Sequence, residues 1–284
     1  MIPASFEYHR PKDIAGVLSL LKEHGDDARV MAGGHSLIPM MKLRMAHVPH
    51  LIDLQDVGGL SDITIAADAI RIGALVTQHD LIVHNELAQA LPILREAALQ
   101  IADPQVRYMG TVGGNVANGD PGNDMPGLMQ CLDAVFTIEG PNGVRDVPAR
   151  DFYEAAYMTA REDDEVLTAI TIPKSAGGFA YEKQKRKIGD YATAAAAVLI
   201  VKDGGACASA AIAMTNLSDT PIFSESAAAA LVGTTVDDTA IDAAVAAMLG
   251  DINPTEDNRG PVAFKIHVAG IILRRAIASA WSRA

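Results

Sequence analysis

Apolar residues recur along this chain with two periods, and the alternation of those periods predicts its elements. After Pro11 they fall at Ile14, Val17, Leu18 and Leu21, one face of an α-helix, and Gly25 stands just past its end. The short run Ala28-Arg29-Val30-Met31 reads as a strand, and Leu51-Ile52-Asp53-Leu54 reads as another. Between them Ser36 is placed to cap a helix over 37–45, with Pro39 tolerated in its first turn. Residues 1–57 therefore read as a small α/β unit.

A second unit, 58–176, opens with a hairpin. Ile63-Thr64-Ile65 and Ile70-Arg71-Ile72 alternate apolar and polar positions across an Ala67-Asp68 turn. Helical spacing follows over 78–85 and 87–99, and further strands are expected at 135–139 and 166–172. Residues 173–178 read as a linker. The last part, 177–284, changes character: three antiparallel strands at 179–187, 193–202 and 206–216, the last two joined by Asp203-Gly204-Gly205. Helices at 224–231, 237–249 and 261–280 complete it. The expected class is α+β, with two N-terminal α/β subdomains, then a three-stranded antiparallel sheet and a helical bundle.

Two glycine pairs interrupt these patterns: Ala32-Gly33-Gly34-His35-Ser36, with Leu37 just beyond, and Thr111-Val112-Gly113-Gly114-Asn115. Glycine lacks a Cβ, so an anion can approach its backbone N–H closely and positive φ is cheap. Successive N–H groups in such a loop make an anion-binding concavity. Two such loops suit a ligand with two linked phosphates; the plainer alternative is a pair of tight turns. Neither loop has the G-x-G-x-x-G or G-x-x-x-x-G-K-[ST] pattern, so the common dinucleotide and P-loop readings fail on the letters.

Composition narrows the chemistry. The chain has 284 residues, a net charge of −12 and two cysteines, Cys131 and Cys207. The acidic balance argues against a nucleic-acid partner. Two distant cysteines cannot ligate an iron–sulfur cluster, and the eight histidines show no metal spacing along the sequence, so no metal site is expected. The N-terminus lacks the basic and apolar regions of a signal peptide, which predicts a cytoplasmic chain. No acid–base pair or nucleophile motif stands out, and no catalytic residue is assigned. Residues 116–126 are dense in turn formers and short polar side chains; they read either as a surface loop or as hydrogen-bonding partners of a ligand, Asp124 among them. Lys185-Arg186-Lys187-Ile188-Gly189-Asp190-Tyr191 reads either as a solvated strand edge or as a basic lip over a diphosphate, with Tyr191 able to stack on a planar heterocycle.

The pairing of AGGHS at 32–36 with TVGGN at 111–115 resembles the FAD-binding subunits of the molybdenum hydroxylases, whose module also occurs in xanthine dehydrogenase. The likeness extends through residues 101–110, 118–126 and 185–193 and to the opening Phe6-Glu7-Tyr8-His9-Arg10-Pro11, and these stretches favour the carbon monoxide dehydrogenase branch. It implies that Ala32, Gly33, Gly34, His35, Ser36 and Leu37, with Thr111, Val112, Gly113, Gly114 and Asn115, hold a non-covalent FAD clamped between the two N-terminal units. It implies that Asp124 contacts the cofactor and that Tyr191 and Lys185 lie near the isoalloxazine. It further implies a large molybdopterin subunit with a molybdenum–copper cofactor and a small subunit with [2Fe–2S] clusters, assembled as a dimer of heterotrimers. Electrons would leave to a quinone-type acceptor, with peripheral association at the inner face of the cell membrane. The alternatives are a subunit of a related hydroxylase for N-heterocyclic or aromatic substrates, a self-sufficient flavoenzyme, and a nucleotide-binding regulator without redox chemistry.

Overall fold

Three larger sheets and a two-stranded ribbon, Tyr153–Ala155 with Met158–Thr159, carry the chain, and a computed structural model describes all 284 residues. The first sheet is parallel, in the order Glu7–His9, His50–Asp53, Ala28–Met31. The helix Ile14–His24 lies on it and buries Val17 and Leu21. Asp13 caps this helix by accepting from the Gly16 N–H at 2.8 Å, and Gly25 ends it at φ 50°. The helix thus opens at Ile14 behind the Asp13 cap, three residues after Pro11. The helix expected over 37–45 stops at Lys42, and Ser36 makes no side-chain cap. Arg44 then turns left-handed at φ 62°.

The second sheet is antiparallel, in the order Ile63–Ile65, Ala69–Gly73, Val166–Pro173, Val135–Gly140, Gly143–Pro148. Burial alternates strictly along Val135–Gly140, as a strand with one covered face requires. The last strand had no sequence counterpart. The region expected as two helices holds three, Gln78–Val83, Asn85–Ala90 and Pro92–Gln100. Pro92 has no N–H to continue a helix but fits a first turn, so it starts a new one. Three further short helices, Pro104–Met109, Val112–Ala117 and Asp124–Cys131, occupy the stretch read largely as loop.

The third sheet has the expected three strands, Gly178–Gln184, Ala194–Asp203 and Ala206–Thr215, and a two-residue fourth, Ile222–Phe223. The first ends at Gln184, short of 187, so Lys185 to Tyr191 bend away from it. The helices Glu225–Leu231 and Val262–Arg283 pack on this sheet, and Asp238–Asp251 packs on those two helices. Alanines 194–197 are all buried, because the terminal helix approaches one side of the central strand and Asp124–Cys131 the other. Small side chains let both layers come close. The core of the second sheet continues into this region through Phe179, Tyr181 and Ala195, while a nine-residue cluster joins Val17, Leu21 and Ile52 to Leu75 and Val166.

Candidate functional site

A cavity of about 500 Å³ opens where the three regions meet. Its wall takes Ala28–Leu37 from the first, Ala74, Leu75, Gln78, Thr111, Val166 and Leu167 from the second, and Gly189, Asp190 and Tyr191 from beyond the third sheet's first strand. Of the sequence-selected residues, Ala32, Gly33, Gly34, His35, Ser36, Leu37, Thr111, Gly113, Gly114, Asn115, Asp124 and Tyr191 all line it. Two do not. Val112 is wholly buried in the core, and Lys185 points to the carbonyl of Gln100, with its Nζ donating at 3.0 Å.

The two glycine loops are not equivalent. In the first, no chain atom accepts from the backbone N–H of Gly33, Gly34, His35 or Ser36. Gly34 is left-handed, at φ 73°. His35 folds back, its Nδ1 lying 2.9 Å from the Gly33 carbonyl. This is the run of free N–H groups that an anion needs. In the second loop the N–H groups are already used: Val112 donates to Val76 O at 2.8 Å, Gly113 to Ala74 O at 3.0 Å, Gly114 to Thr111 Oγ1 at 3.0 Å and Asn115 to Thr111 O at 3.0 Å. Its glycines serve proximity. A Cβ on Gly113 would stand 2.5 Å from that of Ala74, and one on Gly114 would stand 2.8 Å from Thr111 Oγ1. Gly114 has no positive φ, so the conformational argument for that position gives way to a steric one.

Sequence reasoning missed Gln78. It is buried, lines the cavity, and has no partner for either Nε2 or Oε1. A buried amide left open on both sides is costly unless a ligand completes it. Its neighbour Thr77 offered a signal, since Thr77 and Asp80 form a capping box that fixes Gln78 at the helix start. Arg161, 28 % exposed, also lines the cavity and was not anticipated; burial holds its guanidinium below the ordinary arginine value.

Open backbone donors, an orphaned amide and glycines without room for a Cβ around a half-apolar cavity fit a dinucleotide. Comparison decides which. The profile described as the FAD binding domain in molybdopterin dehydrogenase matches residues 4–175, and that of the CO dehydrogenase flavoprotein C-terminal domain matches 179–280. This chain belongs to that family. The carbon monoxide dehydrogenase medium chain of Afipia carboxidovorans is 55 % identical, covering 100 % of this chain and 99 % of its own. The medium chain from Hydrogenophaga pseudoflava is 45 % identical over 100 % and 99 %. A crystal structure of a Cu,Mo-CO dehydrogenase in its cyanide-inactivated form contains a chain 55 % identical that superposes with a TM-score of 0.98 over 100 % of both chains.

In this FAD-binding chain the polar groups behind the cavity are already paired. Asp124 is 4 % exposed and accepts from Tyr181 Oη at 2.5 Å and from Lys183 Nζ at 2.8 Å. Asp124 therefore meets the cavity as half of a buried ion pair whose oxygens have partners. Burial, with the Asp124 charge beside it, pushes the Tyr181 phenol well above its ordinary value. Burial and then the Lys183 charge hold Lys185 below the usual lysine value. Asn115 is a brace: its Oδ1 accepts from Met125 N at 3.1 Å, and its carbonyl accepts from Asn123 Nδ2 at 2.8 Å. The 116–126 stretch is thus a built turn tied to the second loop. Tyr191, 40 % exposed, presents its ring at the mouth with the Arg259 guanidinium 5.1 Å from its centroid. Neither cysteine is placed for chemistry: both are buried, and burial pushes Cys131 up to about 12.

Proposed function

We propose that this chain is the flavin-carrying electron-transfer subunit of a molybdenum-containing carbon monoxide dehydrogenase. The observation that carries the reading is the run of free N–H groups at Gly33–Ser36, facing the second glycine loop in a chain of the FAD-binding family. The FAD diphosphate sits over the first loop, Thr111 has a hydroxyl proton still to donate, and Gln78 completes its amide on the cofactor. Tyr191 stacks at the ring end, and Lys185, a partly desolvated cation bonded to the Gln100 carbonyl, acts on the ring from outside the cavity wall. FAD bound there supplies a carrier that takes and releases electrons singly or in pairs. The chain's own groups orient it and exclude water; the sequence offers no acid–base pair for oxidising a substrate.

Electrons arrive from the [2Fe–2S] clusters of a small partner subunit, after carbon monoxide is oxidised with water on a molybdenum–copper cofactor in a large subunit. They leave to a quinone-type acceptor. The chain divides as 1–57, 58–176 and 177–284, a reading supported by the separate parallel, five-stranded and four-stranded sheets, and two copies of each subunit form the assembly. The chain works in the cytoplasm, peripherally at the membrane face; no helix here is long and apolar enough to cross a membrane. The full-length likeness to medium chains supports the carbon monoxide assignment. Anaerobic stopped-flow tests it. Carbon monoxide should bleach the flavin absorbance of the reconstituted complex and leave the separate chain unchanged. Bleaching of the separate chain overturns the relay. A complex bleached only by an N-heterocyclic or aromatic substrate keeps the relay and moves the chain to a sibling hydroxylase.

A further inference from the structure

Eight histidines without metal spacing along the sequence predict no metal site, yet the fold gathers three of them. We propose that His9, His24 and His50 bind one divalent ion of the zinc, copper and nickel class, with Glu7 supplying a carboxylate. The parallel register pairs Glu7 with His50 and His9 with Ile52, which sets Glu7, His9 and His50 on one face of the first sheet. His24 is the last residue of Ile14–His24, the helix packed against that sheet. One ring nitrogen from each histidine lies within 4.8 Å of the others. His9 Nε2 and His50 Nδ1 are 3.1 Å apart, and Glu7 Oε2 is 3.7 Å from the same His50 nitrogen.

The His9–His50 and Glu7–His50 separations are close to those around a tetrahedral ion. Metal–nitrogen bonds of about 2.0–2.1 Å place tetrahedral ligands about 3.3 Å apart. Imidazole nitrogens favour zinc, copper and nickel over magnesium or calcium, which take oxygen donors. The rings of His24 and His50 lie face to face, 3.7 Å between centroids and 5° between planes, so their lone pairs run parallel. Convergence requires one ring to turn. His24 can do so: it is half-buried at a helix end, and its ring is held by stacking on His9 and His50 rather than by a side-chain hydrogen bond. None of the three histidines lines the cofactor cavity. The first glycine loop leaves the far end of the strand whose first residue, Ala28, pairs with His50. The ion would therefore pin strand, strand and helix together and take no part in electron transfer.

The FAD-loaded full chain, without a polyhistidine tag and stripped with a chelator, is titrated with Zn²⁺ and separately with Co²⁺. One equivalent should bind. The bound cobalt should show the intense visible bands of tetrahedral coordination, and zinc should raise the melting temperature. His24→Gln, at a helix end, and His9→Gln should each weaken binding by about tenfold or more while flavin content stays at the parent level. Absence of binding at one equivalent, or parent-like affinity in His24→Gln, overturns the proposal. Should His9→Gln lose its flavin, His24→Gln alone decides.

Discussion

At the scale of single residues, the letters of the two glycine loops point to the cavity that both loops line, but their division of labour is visible only in three dimensions. Both loops spell a glycine pair between short polar residues, and nothing in the spelling tells a free N–H from one already donating to Ala74 or Thr111. Long-range acceptors have no local signature, and Gln78 escaped notice for the same reason. The two glycines of the second loop should therefore fail differently. Gly113→Val would drive a side chain into the Ala74 backbone and should leave the chain insoluble or unfolded. At Gly114 the first obstacle is the end of the Thr111 side chain, and Ala32 of the opposite loop lies 3.7 Å away. Gly114→Val should keep a native circular dichroism spectrum and lose at least most of its flavin; full flavin occupancy would mean that the loop is only a turn. Because the loops offer hydrogen bonds, and His35 is engaged with Gly33, the cofactor should be held without a covalent bond. Acid precipitation should send all yellow colour to the supernatant, and colour in the washed pellet would refute this.

Elements were legible where periodicity was clean. The strands at 28–31 and 63–65 and the three C-terminal helices stand where the apolar spacing puts them. Asp124–Cys131 was invisible because all eight of its residues are buried, which erases amphipathic contrast, and because Pro126 and Gly127 look like breakers. Pro126 is tolerated in the first turn, where its missing N–H is no loss. The same helix brings Asp124 to Lys183, whose side chain is fully covered. Removing one partner strands the other charge in the interior, which costs about 3–5 kcal/mol. Asp124→Asn should lower the denaturant midpoint accordingly, and an unchanged midpoint would show that Lys183 finds another partner. Arg145 and Glu165 make a second test, in pH. Arg145 donates at 2.7 and 2.6 Å and holds the Glu165 carboxyl below its ordinary 4.5. A depressed carboxylate stabilises the fold above its unfolded value and loses that contribution as pH falls through the folded one. Arg145→Leu should be less stable at neutral pH and should lose less stability than the parent on acidification below about pH 4.5.

At the scale of the molecule, the cavity is a seam. Its walls come from the first sheet, the second sheet and the bend after Gly178–Gln184, so a dinucleotide lying in it touches all three. Few other contacts tie the first region to the rest: the cluster around Val17 and Ile52 reaches the second sheet through Leu75 and Val166. Anything that binds only the assembled form stabilises that form by mass action, by about 2.7 kcal/mol at a hundred times the dissociation constant. FAD should therefore raise the melting temperature and, more tellingly, slow amide exchange at all three walls together. The Gly33–Ser36 amides, unpaired without ligand, should exchange fast in the apo chain and gain the largest protection. The stretch 111–118 and the bend at 189–191 should follow at the same FAD concentration, because a single ligand spans them. The measurement is hydrogen–deuterium exchange on the full chain with and without saturating FAD. Protection confined to 33–36 would mean that the loop binds a phosphate locally without closing the seam, and the clamp would then be wrong even if the flavin were bound.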